Sequence, residues 1–401
     1  MLSRITNIGK IVTWSPSEKK LVSLENQEIL IEDGLIAEIG EKVGSAEVEF
    51  DAECALITPG FVDSHTHPIF FGNRGSEFGM RVAGKSYEDI AKAGGGIISS
   101  INGVRNATED ELYGFCKNHI DYFLDHGTTT IEAKSGYGLT LEDELKSLRV
   151  IRRLNENSEL DIVPTFMGAH DFPVEFKRDP DLYIDIICDE MIPAVTSEKL
   201  AEYCDVFCEN GYFTTDQSLR ILETAKKFGL KPRLHADEFK DSGAASLAAK
   251  VDAVSADHLM AVSDSGINAL AKSGVIATLL PGTTFFLGKN TYADGRKMID
   301  VGCDVAIATD FNPGSCTLQS MPMVISLATL YCGLSMEEAF VGATFNGAKS
   351  INRENEIGAI QTGYKADMLF WDIESIDEIP YWLGSDRLLS VMKNGELIEE
   401  D

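Results

Sequence analysis

The chain has 401 residues, 64 acidic and 35 basic, for a net charge of −29. So negative a surface repels nucleic acid and anionic membranes, and neither is expected as a partner. A hydrophobic content of 44% is ample for a large core in one or two domains.

The eight cysteines are scattered, with no Cys-x-x-Cys pair. Met1-Leu2-Ser3-Arg4-Ile5 lacks a long apolar stretch, and no apolar run reaches the ~18 residues of a membrane helix. A cytoplasmic protein with reduced thiols is expected. Cys204 and Cys208 read as core or strand residues rather than ligands. The acidity also means that an anionic substrate would need a local cation of its own.

The first 57 or so residues read as short strands: Lys10–Trp14, Glu28–Glu32 and, after the turn Asp33-Gly34, Leu35–Ile39. The apolar stretch Ala55–Val62 then runs as a strand into Asp63-Ser64-His65-Thr66-His67. In an extended strand, residues i and i+2 face one side, so His65 and His67 can hold one ion together as neutral imidazoles. The stretch from Pro68 to about Arg105 contains Gly94-Gly95-Gly96 and reads as a loop over a site.

Apolar strands and amphipathic helices then alternate. The candidate strands are Ile57–Val62, Thr128–Ala133, Ile162–Met167, Asp205–Cys208, Arg233–His235, Ala253–Ala256, Val275–Leu279 and Val305–Ala308. Helical stretches such as Thr140–Asn155, Thr215–Gly229 and Ser263–Ser273 lie between them. Eight strands so arranged predict an α/β fold of the (β/α)₈ barrel type, with its chemistry at the C-terminal strand ends. The chain closes in β style again: Ala366–Asp372, Leu388–Met392, the turn Lys393-Asn394-Gly395-Glu396, and Leu397-Ile398.

Only seven histidines are present, and five end candidate strands: His65 and His67, His170, His235 and His258. His119 and His126 read as structural or surface residues. Strand 8 ends in Thr309-Asp310-Phe311-Asn312-Pro313-Gly314. His65, His67, His235 and Asp310 form a three-nitrogen, one-oxygen set that suits zinc or iron and leaves room for a water, whose pKa such a metal lowers towards about 7. Taken alone, Asp310 is equally a loop or cap residue. His258 is read as a base or orienting group for the water, against a fourth ligand or a core histidine. Glu238, three residues after His235, can move a proton from water to a leaving nitrogen, against a plain surface carboxylate.

Pro59-Gly60-Phe61-Val62-Asp63-x-His65-x-His67, the strand-5 and strand-6 histidines and the strand-8 Asp310 resemble the amidohydrolase superfamily. Longer stretches carry the likeness further: Phe71–Phe78, Tyr87–Ile90, Gly94–Ile97, Glu132–Leu139, Met167–His170, Val206–Glu209, Ser255–Leu259, Leu279–Gly282 and Ala308–Gly314. They are similar to the members that act in histidine degradation. The resemblance implies hydrolysis of a ring C–N bond of 4-imidazolone-5-propanoate to N-formimino-L-glutamate. It also implies one zinc or iron (Fe²⁺ or Fe³⁺) per chain and a homodimer. The implied fold is a catalytic barrel over 58–356 and a β-sandwich built from both ends, 1–57 and 357–401. Carried over to this sequence, the metal ligands are His65, His67, His235 and Asp310. The substrate contacts are Arg74, Tyr87, Tyr137, His170, Glu238, Asn312, Gly314 and Ser315. Arg74 answers the charge question, because a guanidinium grips a propionate with two parallel hydrogen bonds. His170 is expected to hydrogen-bond the ring carbonyl.

Ser64 stands where the family commonly has Cys, Ser315 where it commonly has Thr, and Glu238 where many members carry Gln. The last departure strengthens His258 and Asp310 as the proton-transfer groups beside Glu238. Three other readings stand beside the main one: an aminopyrimidine or purine deaminase, a binuclear hydrolase bridged by Glu209 or Lys134, and a non-catalytic barrel.

Overall fold

In a computed structural model, which describes residues 1–86, 89–90 and 93–398, eight parallel strands follow one another in chain order around a nearly closed barrel. They are Phe61–Thr66, Thr128–Lys134, Asp161–Ala169, Tyr203–Cys208, Lys231–Ala236, Ser255–His258, Ile276–Leu279 and Val305–Ile307. The eighth meets the first through a parallel bridge between Thr66 and Phe311, with Asp310 N–H donating to the His65 carbonyl at 3.1 Å. Helices pack outside. Leu141–Glu156, Thr215–Lys227 and Asp264–Ser273 are each started by a hydroxyl cap, from Thr140, Thr214 and Ser263. Cys204 and Cys208 are buried free thiols in the fourth strand.

Strands from both chain ends form two further sheets. One orders Leu35–Gly40, Glu28–Glu32, Leu2–Thr6 and Val48–Asp51. The other orders Glu396–Leu397, Leu388–Lys393, Met368–Trp371, Leu56–Pro59, Lys10–Ser15 and Lys20–Leu24. Ile5, Ile11, Ile29, Ile57, Met368 and Met392 fill a core of their own. Among the described residues, no helix is long and apolar enough to cross a membrane.

Two expectations change. The stretch expected as a single strand from Ala55 to Val62 divides at Gly60. Leu56–Pro59 joins the terminal sheet, and only Phe61–Thr66 enters the barrel. Pro59 has no N–H to continue a ladder, and Gly60 turns its N–H to the Asp367 carbonyl at 2.9 Å. A side chain at Gly60 would put Cβ 2.3 Å from Thr129 Oγ1. Gly60→Ala is therefore expected to destabilise the fold by about 1–3 kcal/mol, the usual cost of overpacking. An unaltered urea midpoint would contradict it. The Pro68–Arg105 stretch, expected as loop, carries the helices Gly75–Val82 and Ile97–Asn106.

An ion cluster ties the barrel to the terminal sheet. Asp161, at the start of the third barrel strand, accepts from Lys365 Nζ at 2.7 Å and Lys393 Nζ at 2.8 Å. Burial alone would raise the Asp161 pKa, but the two ammonium groups outweigh it and hold the carboxyl below its usual range. A depressed folded pKa stabilises above the unfolded value of ~3.9, and the contribution disappears as pH falls below it. The stability gap between the parent and Asp161→Asn should thus shrink in urea titrations taken from pH 6 down through about 4. A gap that stays constant or widens would remove the cluster from the acid response.

Candidate metal centre and substrate cavity

Strand closure brings residues distant in the chain onto one spot. His67 Nε2 lies 3.3 Å from His65 Nε2 and 3.2 Å from His235 Nε2. Asp310 Oδ1 is 3.6 Å from both His65 Nε2 and His67 Nε2. His65 Nδ1 donates to Asp257 Oδ2 at 2.7 Å, and His235 Nδ1 to Asp205 Oδ1 at 3.0 Å. His65 and His235 therefore each turn an Nε2 lone pair inwards, towards His67 Nε2. Lone pairs and a carboxylate oxygen aimed at one point repel one another unless a cation lies between them, so the donor set fits a divalent metal. Burial first, then Lys134 for His65 and His170 for His67, holds both imidazoles well below their usual range, which keeps them neutral. Asp310 is pushed up to about 6 by burial, opposed mainly by the Thr283 hydroxyl donating at 2.5 Å. Asp310 and His258 both adopt left-handed backbone, φ 55° and 80°, a local strain common at functional sites.

A fully buried charge layer lies next to the imidazoles. Lys134 Nζ donates to Glu132 Oε1 at 2.7 Å and pairs with Asp205 Oδ2 at 2.8 Å. Arg233 donates to Asp257 Oδ2 at 3.2 Å and to the Ser64 carbonyl at 2.7 Å. Lys134, considered above as a bridging ligand, pairs here with the carboxylate that orients His235. Glu209, the other candidate bridge, accepts from the Asn210 N–H at 2.7 Å and the Phe239 N–H at 2.8 Å. The Ser64 hydroxyl is buried without a hydrogen-bond partner among the described residues.

A cavity of about 420 Å³ opens over this centre. Its walls hold Arg74, Tyr137, His170, Glu238, Asn312, Gly314 and Ser315 beside His67, His235, His258 and Asp310. Tyr87 lies outside the described residues. His170 Nδ1 faces the Gly136 carbonyl at 2.9 Å. A carbonyl only accepts, so Nδ1 carries the proton and Nε2 is left as an acceptor. With its pKa lowered to about 4, first by burial and then by His235, His170 is neutral. It therefore suits a substrate N–H, not the ring carbonyl expected above. Glu238 is pushed up to about 8, by burial first and the Asp310 charge next, and its Oε2 lies 3.7 Å from His258 Nε2.

Asn312 is occupied in shaping its own turn. Its Oδ1 accepts from the N–H groups of Gly314 at 2.8 Å and Ser315 at 2.7 Å, and its Nδ2 donates to the Asp310 carbonyl at 2.7 Å. Gly314 lies flat against Arg74; a Cβ there would stand 2.2 Å from Nη1. The reading of the sequence missed Glu132, Asp205, Arg233 and Asp257 as supports. One signal was available, since Glu132, Asp205 and Arg233 are charged residues within candidate strands and Asp257 directly follows one. His119 stacks on Phe70 at 5.2 Å, away from the metal centre.

The sequence model of the amidohydrolase family matches residues 56–398. Imidazolonepropionase of Alkaliphilus metalliredigens is 44% identical, covering 98% of this chain and 97% of its own. That of Clostridium tetani is 46% identical, with the same two coverages of 98% and 97%. The chain belongs to the amidohydrolase family, in its imidazolonepropionase branch. Solved structures agree on the fold of this amidohydrolase. A zinc-bound adenosine deaminase from Xanthomonas campestris, 17% identical, superposes with a TM-score of 0.75 over 100% of this chain and 94% of its own. Guanine deaminase from C. acetobutylicum, 16% identical, does so with a TM-score of 0.72 over 100% of both chains.

Proposed function

We propose that this chain hydrolyses 4-imidazolone-5-propanoate to N-formimino-L-glutamate. One observation carries the reading: three imidazoles and a carboxylate converge in a cavity whose wall also holds a guanidinium. His65, His67, His235 and Asp310 would hold the divalent ion, and zinc and iron(II) both suit that donor set. When bound, such an ion polarises a carbonyl and acidifies water.

The remaining roles fall to the chain's own groups. Arg74 takes the propionate. His170 Nε2 accepts from a ring N–H and so orients the ring, and the Tyr137 hydroxyl packs beside it. Water's oxygen joins the ring carbonyl carbon, which becomes a carboxylate. The bond from that carbon to the adjacent ring nitrogen breaks, and the nitrogen takes a proton. His258 and Asp310 accept the proton from water, and Glu238 relays one towards the nitrogen.

His258→Asn is expected to lower kcat by ~10²–10⁴-fold, the range of general acid–base catalysis, and Glu238→Gln by less than ~10-fold. The opposite order would move the main proton-transfer role to Glu238. The function itself is tested by metal analysis and ultraviolet assay of one preparation, with substrate made fresh from urocanate. One metal per chain with rapid loss of absorbance is expected. Metal without such loss, but with ammonia released from an aminated ring, would make the protein a deaminase. Two metals per chain would restore the binuclear reading.

A further inference from the structure

Glu77 sits in the helix Gly75–Val82, directly after Arg74. One of its oxygens, Oε2, collects three donors: Arg74 Nε at 2.9 Å, Arg74 Nη2 at 2.8 Å and the Gly96 N–H at 3.1 Å. The pair is mostly shielded, with side-chain exposures of 14% for Arg74 and 13% for Glu77, so water competes weakly for it. Gly95 is pressed against the same carboxylate. A Cβ at Gly95 would lie 2.8 Å from both Glu77 Cδ and Ile90 Cγ2 and 2.9 Å from Glu77 Oε1. Across the guanidinium, Gly314 closes in on Nη1.

These contacts divide the Arg74 donors. Glu77 uses the Nε–H and one Nη2–H, which is one of the two edges a guanidinium offers a carboxylate. The edge made of Nη1 and the second Nη2–H is left, and Arg74 borders the cavity. A free arginine would rotate through many rotamers and lose that freedom on binding; one already clamped does not. The glycine run also acquires a role, since only a residue without a side chain lets the 94–96 segment approach the carboxylate that clamps Arg74.

We propose that Glu77 is the positioning residue for carboxylate recognition, holding Arg74 with one edge towards the substrate, and that Gly95 is small to admit it. The proposal rests on Arg74 receiving the substrate's propionate. Glu77 also borders the cavity, but a carboxylate repels the substrate's propionate, so it acts through Arg74 and its effect should appear in KM and not in kcat.

The test uses the parent enzyme, Glu77→Ala, Glu77→Gln, Gly95→Ala and the double variant Glu77→Ala/Gly95→Ala. Each is assayed with the propionate substrate and with the uncharged propionamide analogue. Glu77→Ala should raise KM for the acid by about 10-fold or more, with kcat within about 2-fold. Glu77→Gln keeps an acceptor for the Gly96 N–H and should fall between it and the parent. Gly95→Ala should raise KM more in the parent than in the Glu77→Ala background, where the contact with Glu77 is gone and only that with Ile90 remains. For the amide, Glu77→Ala and the parent should give the same KM. A parent that does not distinguish acid from amide would overturn the role of Arg74 itself. A parent that does, together with a Glu77→Ala enzyme of unchanged KM for the acid, would overturn only the proposal for Glu77. Additive effects of the two alanine changes would separate Gly95 from the clamp.

Discussion

His235→Ala should leave the protein with little bound metal and lower kcat by ~10³-fold or more, since the ion is worth several kcal/mol of transition-state stabilisation. The argument begins with hydrogen-bond direction. Asp205, paired with Lys134, can only accept from His235 Nδ1, so Nε2 presents a lone pair to the centre. Alanine removes that lone pair and leaves the Asp205 carboxylate buried with one donor fewer. Two imidazoles and Asp310 remain, a set one ligand short of a stable four-coordinate site. Asp205→Asn should act in the same direction more mildly, by roughly 10–100-fold in metal affinity, as outer hydrogen-bond partners do. Metal per chain after dialysis against a chelator, read beside kcat, checks both. A His235→Ala protein that turns over at the parent rate with an empty site would remove the metal from the mechanism.

Arg74→Met should raise KM by roughly 10–1000-fold and change kcat far less. A charge-assisted pair contributes about 1.5–3 kcal/mol, and an unpaired propionate in the cavity adds its own desolvation cost. Methionine keeps an apolar stem but offers no donor. It also strips Glu77 of two of its three N–H donors, so part of the effect is a loosened 94–96 segment. Lysine should rescue only partly, because an ammonium cannot grip two oxygens in one plane and hold Glu77 as well. Steady-state kinetics with the propionate substrate decide it. An unchanged KM in Arg74→Met would take Arg74 out of substrate binding.

Much of the fold could be read from residue types and spacing. Five of the seven histidines stood at predicted strand ends, and the alternation of apolar runs with capped helices was enough to call the barrel. Periodicity is a local property, and apolar strands bordered by caps and turns declare themselves within about ten residues. The same locality explains where it stopped. Ala55–Val62 is apolar on both sides of Thr58-Pro59-Gly60; the Pro-Gly pair is a local break signal, but the contacts that seat Gly60 come from Asp367 and Thr129, both remote in sequence. The Pro68–Arg105 helices are short and start without a side-chain cap, so their local signals are weak.

The candidate site divides the same way. By itself the sequence determined the chemical inventory: imidazoles spaced to share a strand end, a carboxylate at another, and an arginine close behind. Ligand type follows from side-chain chemistry, which needs no coordinates. Only the tertiary structure decided which carboxylate meets which ring. Asp257 orients His65 across 192 positions, Asp205 orients His235 across 30, and Lys134 pairs with Asp205. It also set His170 Nδ1 against the Gly136 carbonyl and Glu77 against Arg74. Such pairings depend on strand register and barrel closure, which set distances between groups far apart in the chain, and hydrogen-bond direction follows only once those distances exist.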